Sequence, residues 1–399
     1  TVGGTASVAT ACGLARGPEA LPLSTESLDK AQTEVARGGL LIPLRAAAMA
    51  PAPRAGSSRS EALWNMLCFT VGAGMLALPH ALLFAGSWFW IPLLGAGALS
   101  FYMARLLHRV QLHFWRLGKE VRTYESLCEA CGMSRDKSWL WWCTGWMLAV
   151  NQTGIALLYV LTICKNLDLL LLREGSTGQA EAPSWQWYPL VGLCAAFLIS
   201  LGPDLAHVSG SSLVGFLSVL LVGVLIVVAP APGGPSQGGR VQHPEFRTSH
   251  CLTGISTSIL AYGGHPVFPS VQGNMLDPSG FSGVLETGFL LMVAGFWTVV
   301  ATSWRVRGYL VEAYILDSLD ASLLRTAAVC GLTLHFVAAL PVVLLPAAKF
   351  IEDSTLAGAH SRSLRVALVC AVVYAAYQFP SFEDIVSLLG SLTSNFLVF

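Results

Sequence analysis

The chain has 399 residues, of which 54% are hydrophobic and only 12% charged, with a mean hydropathy of +0.61. A soluble globular domain usually carries about a quarter charged residues, so the composition excludes one and implies a protein embedded in the lipid bilayer. Lys plus Arg and Asp plus Glu balance at 23 each, which leaves no basic excess for a nucleic-acid partner and no acidic excess for a solvating tail.

Residues 1–60 are rich in Ala, Gly, Ser and Pro, with one short helix-capable piece near Ser27 to Arg37, and read as a flexible cytoplasmic tail. The apolar stretch Leu40 to Leu44 is stopped by Arg45 and Pro51, too short for a secretory signal, and the first residue is Thr rather than Met, so the N-terminus reads as incomplete. Residues 61–399 then form one transmembrane domain of ten apolar spans, at about 63–84, 88–110, 139–164, 187–202, 208–230, 251–272, 284–304, 326–347, 364–379 and 382–399. The fourth and ninth fall short of the roughly 20 residues that fill a hydrocarbon core. The tenth is still apolar at Phe399, with no closing basic residues, so a last helix reads as missing. With the N-terminus inside, the inner segments hold 16 Lys and Arg and the outer segments 7, which favours a cytoplasmic N-terminus.

Two spans carry a Gly pair followed five residues later by Pro: Gly72 and Gly74 before Pro79, and Gly263 and Gly264 before Pro269. Glycine loosens the backbone and proline deletes an amide donor, so both helices are expected to break partway. Unpaired backbone groups at membrane depth persist only where they line a protein-enclosed cavity or hold a ligand. With five spans in each half, the halves run in opposite orientation and each opens with a broken helix, which is an inverted-repeat layout.

Asp, Glu, Lys and Arg are absent from the middle of every span, leaving histidines and neutral polar groups at depth. His80 follows the first break, His265 sits inside the second, and His335 lies midway along the eighth span. His265 and His335 are proton-coupling candidates, His265 the stronger, because an imidazole titrates near neutral pH; a neutral histidine satisfied by a freed carbonyl is the bland reading. The third span carries Asn151, Gln152, Thr153 and Tyr159, and Asn151 and Tyr159, two turns apart, share a face. They suit either a zwitterionic ligand or hydrogen bonding between helices. An amino acid would fit the breaks: its carboxylate on amides of Gly72, Ala73 and Gly74 at a half-helix N-terminus, its ammonium on carbonyls of Tyr262, Gly263 and Gly264 at a half-helix C-terminus.

Cys68, Cys143, Cys164, Cys194, Cys330 and Cys370 fall within spans, so no disulfide framework is expected, and Cys128-x-x-Cys131 with His108 and His113 upstream reads as ordinary thiols rather than a metal site. No cofactor is called for. Ser256 and His265 lack any coherent nucleophile motif, so the chain does not read as an enzyme. Between the seventh and eighth spans, Tyr309, Leu310, Ala313, Tyr314, Leu316 and Leu319 recur at helical spacing among Glu312, Asp317 and Asp320, which predicts a surface helix over the outer mouth.

Asn65 to Pro79, NMLCFTVGAGMLALP, with His80, Ala81 and Gly86-Ser87-Trp88, resembles the first helix of the amino acid/auxin permease family. Tyr262 to Asp277, YGGHPVFPSVQGNMLD, with Pro278, Phe281, Val284 and Leu285, resembles the sixth helix and following loop of its vesicular inhibitory and vacuolar amino acid transporter branch. Tyr124 to Leu127, Leu201 to Leu205, Phe379 to Phe382 and Leu388 to Ser391 are lesser echoes. The resemblance implies an all-α, leucine-transporter-like five-plus-five fold, alternating access, and amino acid transport, commonly proton-driven. It also implies a vacuolar, lysosomal or vesicular membrane rather than the plasma membrane. The family includes sodium-coupled members, and Na+ stays open beside H+. Members usually have eleven spans, whereas this chain ends within the tenth. An amino-acid sensor using the same pocket is the second function class, and no oligomeric state is implied.

Overall fold

The computed structural model describes residues 56–133, 135–136, 138–171, 184–201, 209–229, 245–246, 248–320, 322–355 and 361–394. The helix-capable piece near Ser27 to Arg37 and nearly all of the predicted tail lie outside them. Among the described residues the architecture is helical: α1 Arg59–Thr70, α2 Ala73–Ala81, α3 Trp90–Arg116, α4 Tyr124–Ala130, α5 Trp139–Leu171, α6 Trp187–Leu201, α7 Ser209–Val228, α8 Thr248–Ala261, α9 Phe268–Gly273, α10 Phe281–Arg307, α11 Leu323–Thr355, α12 Ser361–Gln378 and α13 Phe382–Leu388. By length and apolar content α3, α5, α7, α10 and α11 can each cross a membrane, and α1 with α2, bent by 47° at their break, passes the same test as a pair, which makes up to six candidate spans among the described residues. α6 is a shorter apolar helix.

Local sequence explains the boundaries. Ser58 caps α1 in a capping box, its hydroxyl accepting from the Glu61 amide (3.3 Å) while the Glu61 carboxylate accepts from the Ser58 amide (2.7 Å). α5 runs seven residues past the predicted end at Cys164 because its last turns are amphipathic: Lys165 pairs with Asp317, and Asp168 accepts from the Trp187 indole (3.1 Å). Pro341 and Pro346 stay inside α11, which membrane helices tolerate where neighbours satisfy the freed groups. The tenth predicted span begins at Phe382, but α13 passes into a π-helical turn over Leu389–Ser394.

The predicted surface helix between the seventh and eighth spans is not a helix. Gly308 ends α10 with φ 52°, a left-handed conformation that suits glycine, and the chain continues as two 3-10 turns, Gly308–Leu310 and Ile315–Ser318. Tyr314, Leu316 and Leu319 are buried, so their spacing reflects burial by an irregular plug rather than an amphipathic face.

Packing places α5 against α11 and α7 against both α11 and α1. α8 lies against α2, α3 and the terminal π-helical turn; α10 lies against α1, α2 and α3; α6 pairs with α12. The two interrupted segments are therefore central. Their far ends are also joined: the Ser57 amide donates to Asn274 O (2.8 Å), the Leu276 amide to Ser57 O (3.0 Å), and Arg59 pairs with Asp277 at 2.8 Å. Arg307 is buried and caps α7, donating to the carbonyls of Ile226 (2.9 Å) and Ala229 (3.0 Å), a cation placed at the negative end of a helix dipole.

Candidate functional site

The first break falls at Val71 and Gly72. The Val71 amide still bonds to Leu67 O (2.8 Å), whereas α2 starts afresh at Ala73 with no side chain capping it. The first amides of a helix have no acceptor within it, so Ala73 and Gly74 present donors at the positive end of α2. The Gly72 carbonyl is used by Met75 (3.1 Å).

The second break tightens step by step. The Tyr262 amide reaches back four residues to Ser258 (3.1 Å), Gly263 three to Leu260 (3.0 Å), and Gly264 two to Tyr262 (2.8 Å). This shift deprives the Ile259 carbonyl of the amide that an unbroken helix would give it, leaving an acceptor at the negative end of α8. A Cβ on Gly263 would stand 2.9 Å from Leu260 O and 3.2 Å from Ile259 O, too close for any side chain, so the turn requires glycine.

The two breaks meet. A Cβ on Gly74 would lie 2.5 Å from Ala261 Cα, which puts α2 and α8 in backbone contact. Beside that contact is a small cavity of about 20 Å³ lined by Phe69, Thr70, Ala73, Gly74, Ile155, Leu158, Tyr159, Leu260 and Gly263. Tyr159 closes one wall from α5, its hydroxyl 2.6 Å from the position a Cβ on Gly72 would take. His335 on α11 stands behind it: Nδ1 is 2.9 Å from Gly215 O, so it carries the proton and donates, while Nε2 is buried, has no partner among the described residues, and lies 3.3 Å from that same Cβ position.

Other sequence-predicted residues lie elsewhere. The Tyr262 ring is buried between Phe289 and Phe296 and fills the space beside Gly97, so only its backbone belongs to the break. Asn151 accepts from Ser394 (3.2 Å) and Gly154 lies under Leu389, so this part of α5 binds the terminal helix rather than the cavity. Gly264 packs on Thr70 and the Phe268 ring. His265 donates through Nε2 to Ser100 O (3.0 Å), leans on Phe268, and does not line the cavity. His80 donates through Nδ1 to Val311 O (2.9 Å). Sequence reasoning passed over Phe69, Thr70, Ile155, Leu158 and Leu260; Ile155 stands one turn from Tyr159, the single signal that could have marked it.

Further spaces flank the central cavity. Toward the Trp139 end of α5, a cavity of about 280 Å³ is lined in part by Arg122, Glu125, Leu148, Pro266, Ser270 and Lys349. Leu148 is seven residues from Ile155, roughly 10 Å along the helix. Toward the other end, a smaller one of about 20 Å³ is lined by His80, Thr253, Thr257, Ser387 and others beneath Ala313. Over it the segment 308–319 is latched. Tyr314 donates to Asn166 (2.8 Å), Asn166 to Thr333 (2.9 Å), and Asp317 takes Lys165 at 2.5 Å and Arg325 at 3.5 Å. Burial and the Asp317 charge push the Tyr314 phenol well above its ordinary pKa, so it stays a donor. Cys128 is buried and Cys131 exposed, and among the described residues no three His, Cys, Asp or Glu gather as metal ligands.

A family profile described as transmembrane amino acid transporter protein matches residues 55–399. Amino acid transporter AVT3C of Arabidopsis thaliana is 24% identical over 86% of this chain and 81% of its own length. Amino acid transporter AVT3A of the same plant is 24% identical over 85% and 79%, and amino acid transporter AVT1H is 24% identical over 85% and 78%.

Proposed function

The chain belongs to the transmembrane amino acid transporter family, and on that premise we propose that it is a secondary active transporter that carries an amino acid through the membrane by alternating access. The observation that carries this reading is the contact of two broken helices beside a cavity. Ala73 and Gly74 offer amides for a carboxylate, and the Ile259 to Gly263 turn offers carbonyls for an ammonium. Both termini of the cargo are thus met by main-chain dipoles that need no reorganisation. The narrow cavity, walled by Ile155, Leu158 and Tyr159, favours small neutral side chains. Gly72 and Gly264 act by allowing close approach at the two breaks. Asn151 acts by holding the terminal helix against α5.

Support for the inverted repeat comes from the packing. Exchanging the halves turns α1 into α8, α3 into α10, α5 into α11, α6 into α12 and α7 into the terminal helix. Under that exchange α1 with α7 maps onto α8 with the terminal turn, α8 with α3 onto α1 with α10, and α7 with α11 onto the terminal turn with α5, all of which are neighbours. The latched segment 308–319 and the wide cavity at the opposite end suit a state closed on one side and wetter on the other. We place the wetter side and the N-terminus in the cytoplasm, of a vacuolar, lysosomal or vesicular membrane, with H+ as the driving ion and His265 and His335 as the groups able to carry it.

Uptake of a radiolabelled mixture of the standard amino acids into proteoliposomes, with an imposed gradient of H+ or of Na+, tests the proposal. Accumulation driven by the H+ gradient is expected. Binding without flux overturns it in favour of a sensor, and accumulation driven by Na+ alone overturns the choice of ion.

A further inference from the structure

His335 is one of the groups among the described residues whose buried polar atom the packing of the fold leaves without a partner. It sits at mid-depth on α11, wholly buried, and its tautomer is fixed, because the Gly215 carbonyl on α7 can only accept and therefore holds the proton on Nδ1. Gly215 is itself specific to this arrangement: a Cβ there would stand 2.8 Å from Cys68 Sγ on α1 and 3.6 Å from His335 Nδ1. The imidazole is thus clamped by its backbone neighbour, with Nε2 turned toward Gly72 as a bare acceptor. A buried polar atom without a partner is costly and calls for an explanation.

Its surroundings supply one. The titratable groups facing it are Tyr159 from α5, at 6.3 Å between ring centroids, and Cys68 from α1 beyond Gly215. No charged side chain among the described residues acts on it from α1, α5, α6, α7 or α12. A cation formed at Nε2 would therefore have no counter-charge until an anion arrived at the adjacent break. The Ala73 and Gly74 amides, one and two residues from Gly72, are where the cargo carboxylate is proposed to lie.

We propose that His335 Nε2 takes up the proton that travels with the cargo, and that the imidazolium pairs with the cargo carboxylate at the first break. This rests on the transport reading above. In the step, the Nε2 lone pair accepts a proton from hydronium on the acidic side, leaving water, and the new N–H faces the carboxylate beside Gly72. On the other side the carboxylate leaves, the proton passes from Nε2 to water, and the neutral acceptor is restored. Neither charge is stable alone at that depth, so each raises the affinity for the other by the same factor. The proposal selects His335, whose Nε2 lies 3.3 Å from the Cβ position on Gly72, over His265, whose ring is held at Ser100 and Phe268, and it makes the carboxylate an obligatory feature of any coupled substrate.

The test compares wild-type protein with His335→Asn and His335→Gln in proteoliposomes, using the radiolabelled amino acid mixture. Asn retains a donor near the Nδ1 position for Gly215 O, and Gln retains a polar atom near Nε2, but neither titrates. Wild type should accumulate amino acids under a pH gradient. Both variants should lose at least tenfold of that accumulation while counterflow exchange at uniform pH falls by less than tenfold. Gradient-driven accumulation at wild-type level in either variant overturns the proposal. So does equal loss of exchange and accumulation in both, which marks a structural role, and so does loss of coupling in His265→Gln alone. If wild type itself neither exchanges nor accumulates, the transport reading fails first, and the two failures are thereby distinguished.

Discussion

Replacing Gly74 by alanine puts a methyl carbon 2.5 Å from Ala261 Cα, 2.8 Å from its Cβ and 3.1 Å from its amide nitrogen. Carbon atoms pack at about 3.5–4.0 Å, so α2 and α8 must part by about 1 Å, and because the obstacle is backbone no side-chain rotation can absorb it. Overpacking of this kind costs about 1–3 kcal/mol, which a protein whose stability is about 5–15 kcal/mol survives. A displacement of about 1 Å between groups that must meet a ligand together costs on the order of 10²-fold in activity. Gly74→Ala is therefore expected to insert and fold yet transport about a hundredfold less. Gly95→Ala, where a Cβ would meet nothing within 4 Å, is the matched control and should transport normally. Proteoliposome uptake normalised to monodisperse protein by size-exclusion chromatography reads both. Uptake by Gly74→Ala within twofold of wild type would refute the claim that the contact between the breaks sets the site.

Gly264→Val should abolish measurable uptake while leaving insertion intact, because its branched side chain would collide with Thr70 Cγ2, 2.3 Å from the Cβ position, and with the Phe268 ring; uptake assays against surface-accessible protein check this. Asp317→Asn removes the charge that holds Lys165 and Arg325, and the segment 308–319 should open more often, seen as severalfold faster labelling of a cysteine introduced at Ala313. The Ser279 hydroxyl and the Arg59 guanidinium hold the Asp277 carboxyl at about 2, below its usual value of 3.8. A carboxylate with a depressed folded-state pKa contributes stability that is present above its unfolded pKa and lost as pH falls through the folded one. The melting-temperature difference between wild type and Asp277→Asn should therefore be the same at pH 7 and pH 5, shrink as pH falls below the usual value of 3.8 and vanish below about 2; the pair is exposed, so the difference itself should be small.

Much of this arrangement was legible in the sequence because glycine and proline act locally. Gly72, Gly74, Gly263 and Gly264 announce breaks through backbone freedom alone, and both breaks fall where the sequence places them. Side-chain direction was less legible. Asn151 and Tyr159 do share a helix, but whether a polar side chain faces a cavity or another helix depends on what packs opposite, and Ser394 stands opposite Asn151. Tyr262 is expected for its backbone carbonyl, and its ring points into an aromatic cluster fixed by α10. His265 and His335 have the same composition-level signal, a lone imidazole in an apolar run. What separates them is the position of the free nitrogen, set by Ser100 in one case and Gly215 in the other. The segment 308–319 misled through periodicity: residues buried in an irregular plug can repeat at helical spacing without hydrogen bonds to match, and Gly308 had already ended the helix.

The central claim is that main-chain groups at two helix breaks hold the cargo, and a structure of the protein with an amino acid bound tests it most directly. The carboxylate is expected within hydrogen-bond distance of the Ala73 and Gly74 amides, and the ammonium against the carbonyls of the Ile259 to Gly263 turn. An amino acid bound away from both breaks, with the central cavity empty, would contradict the account.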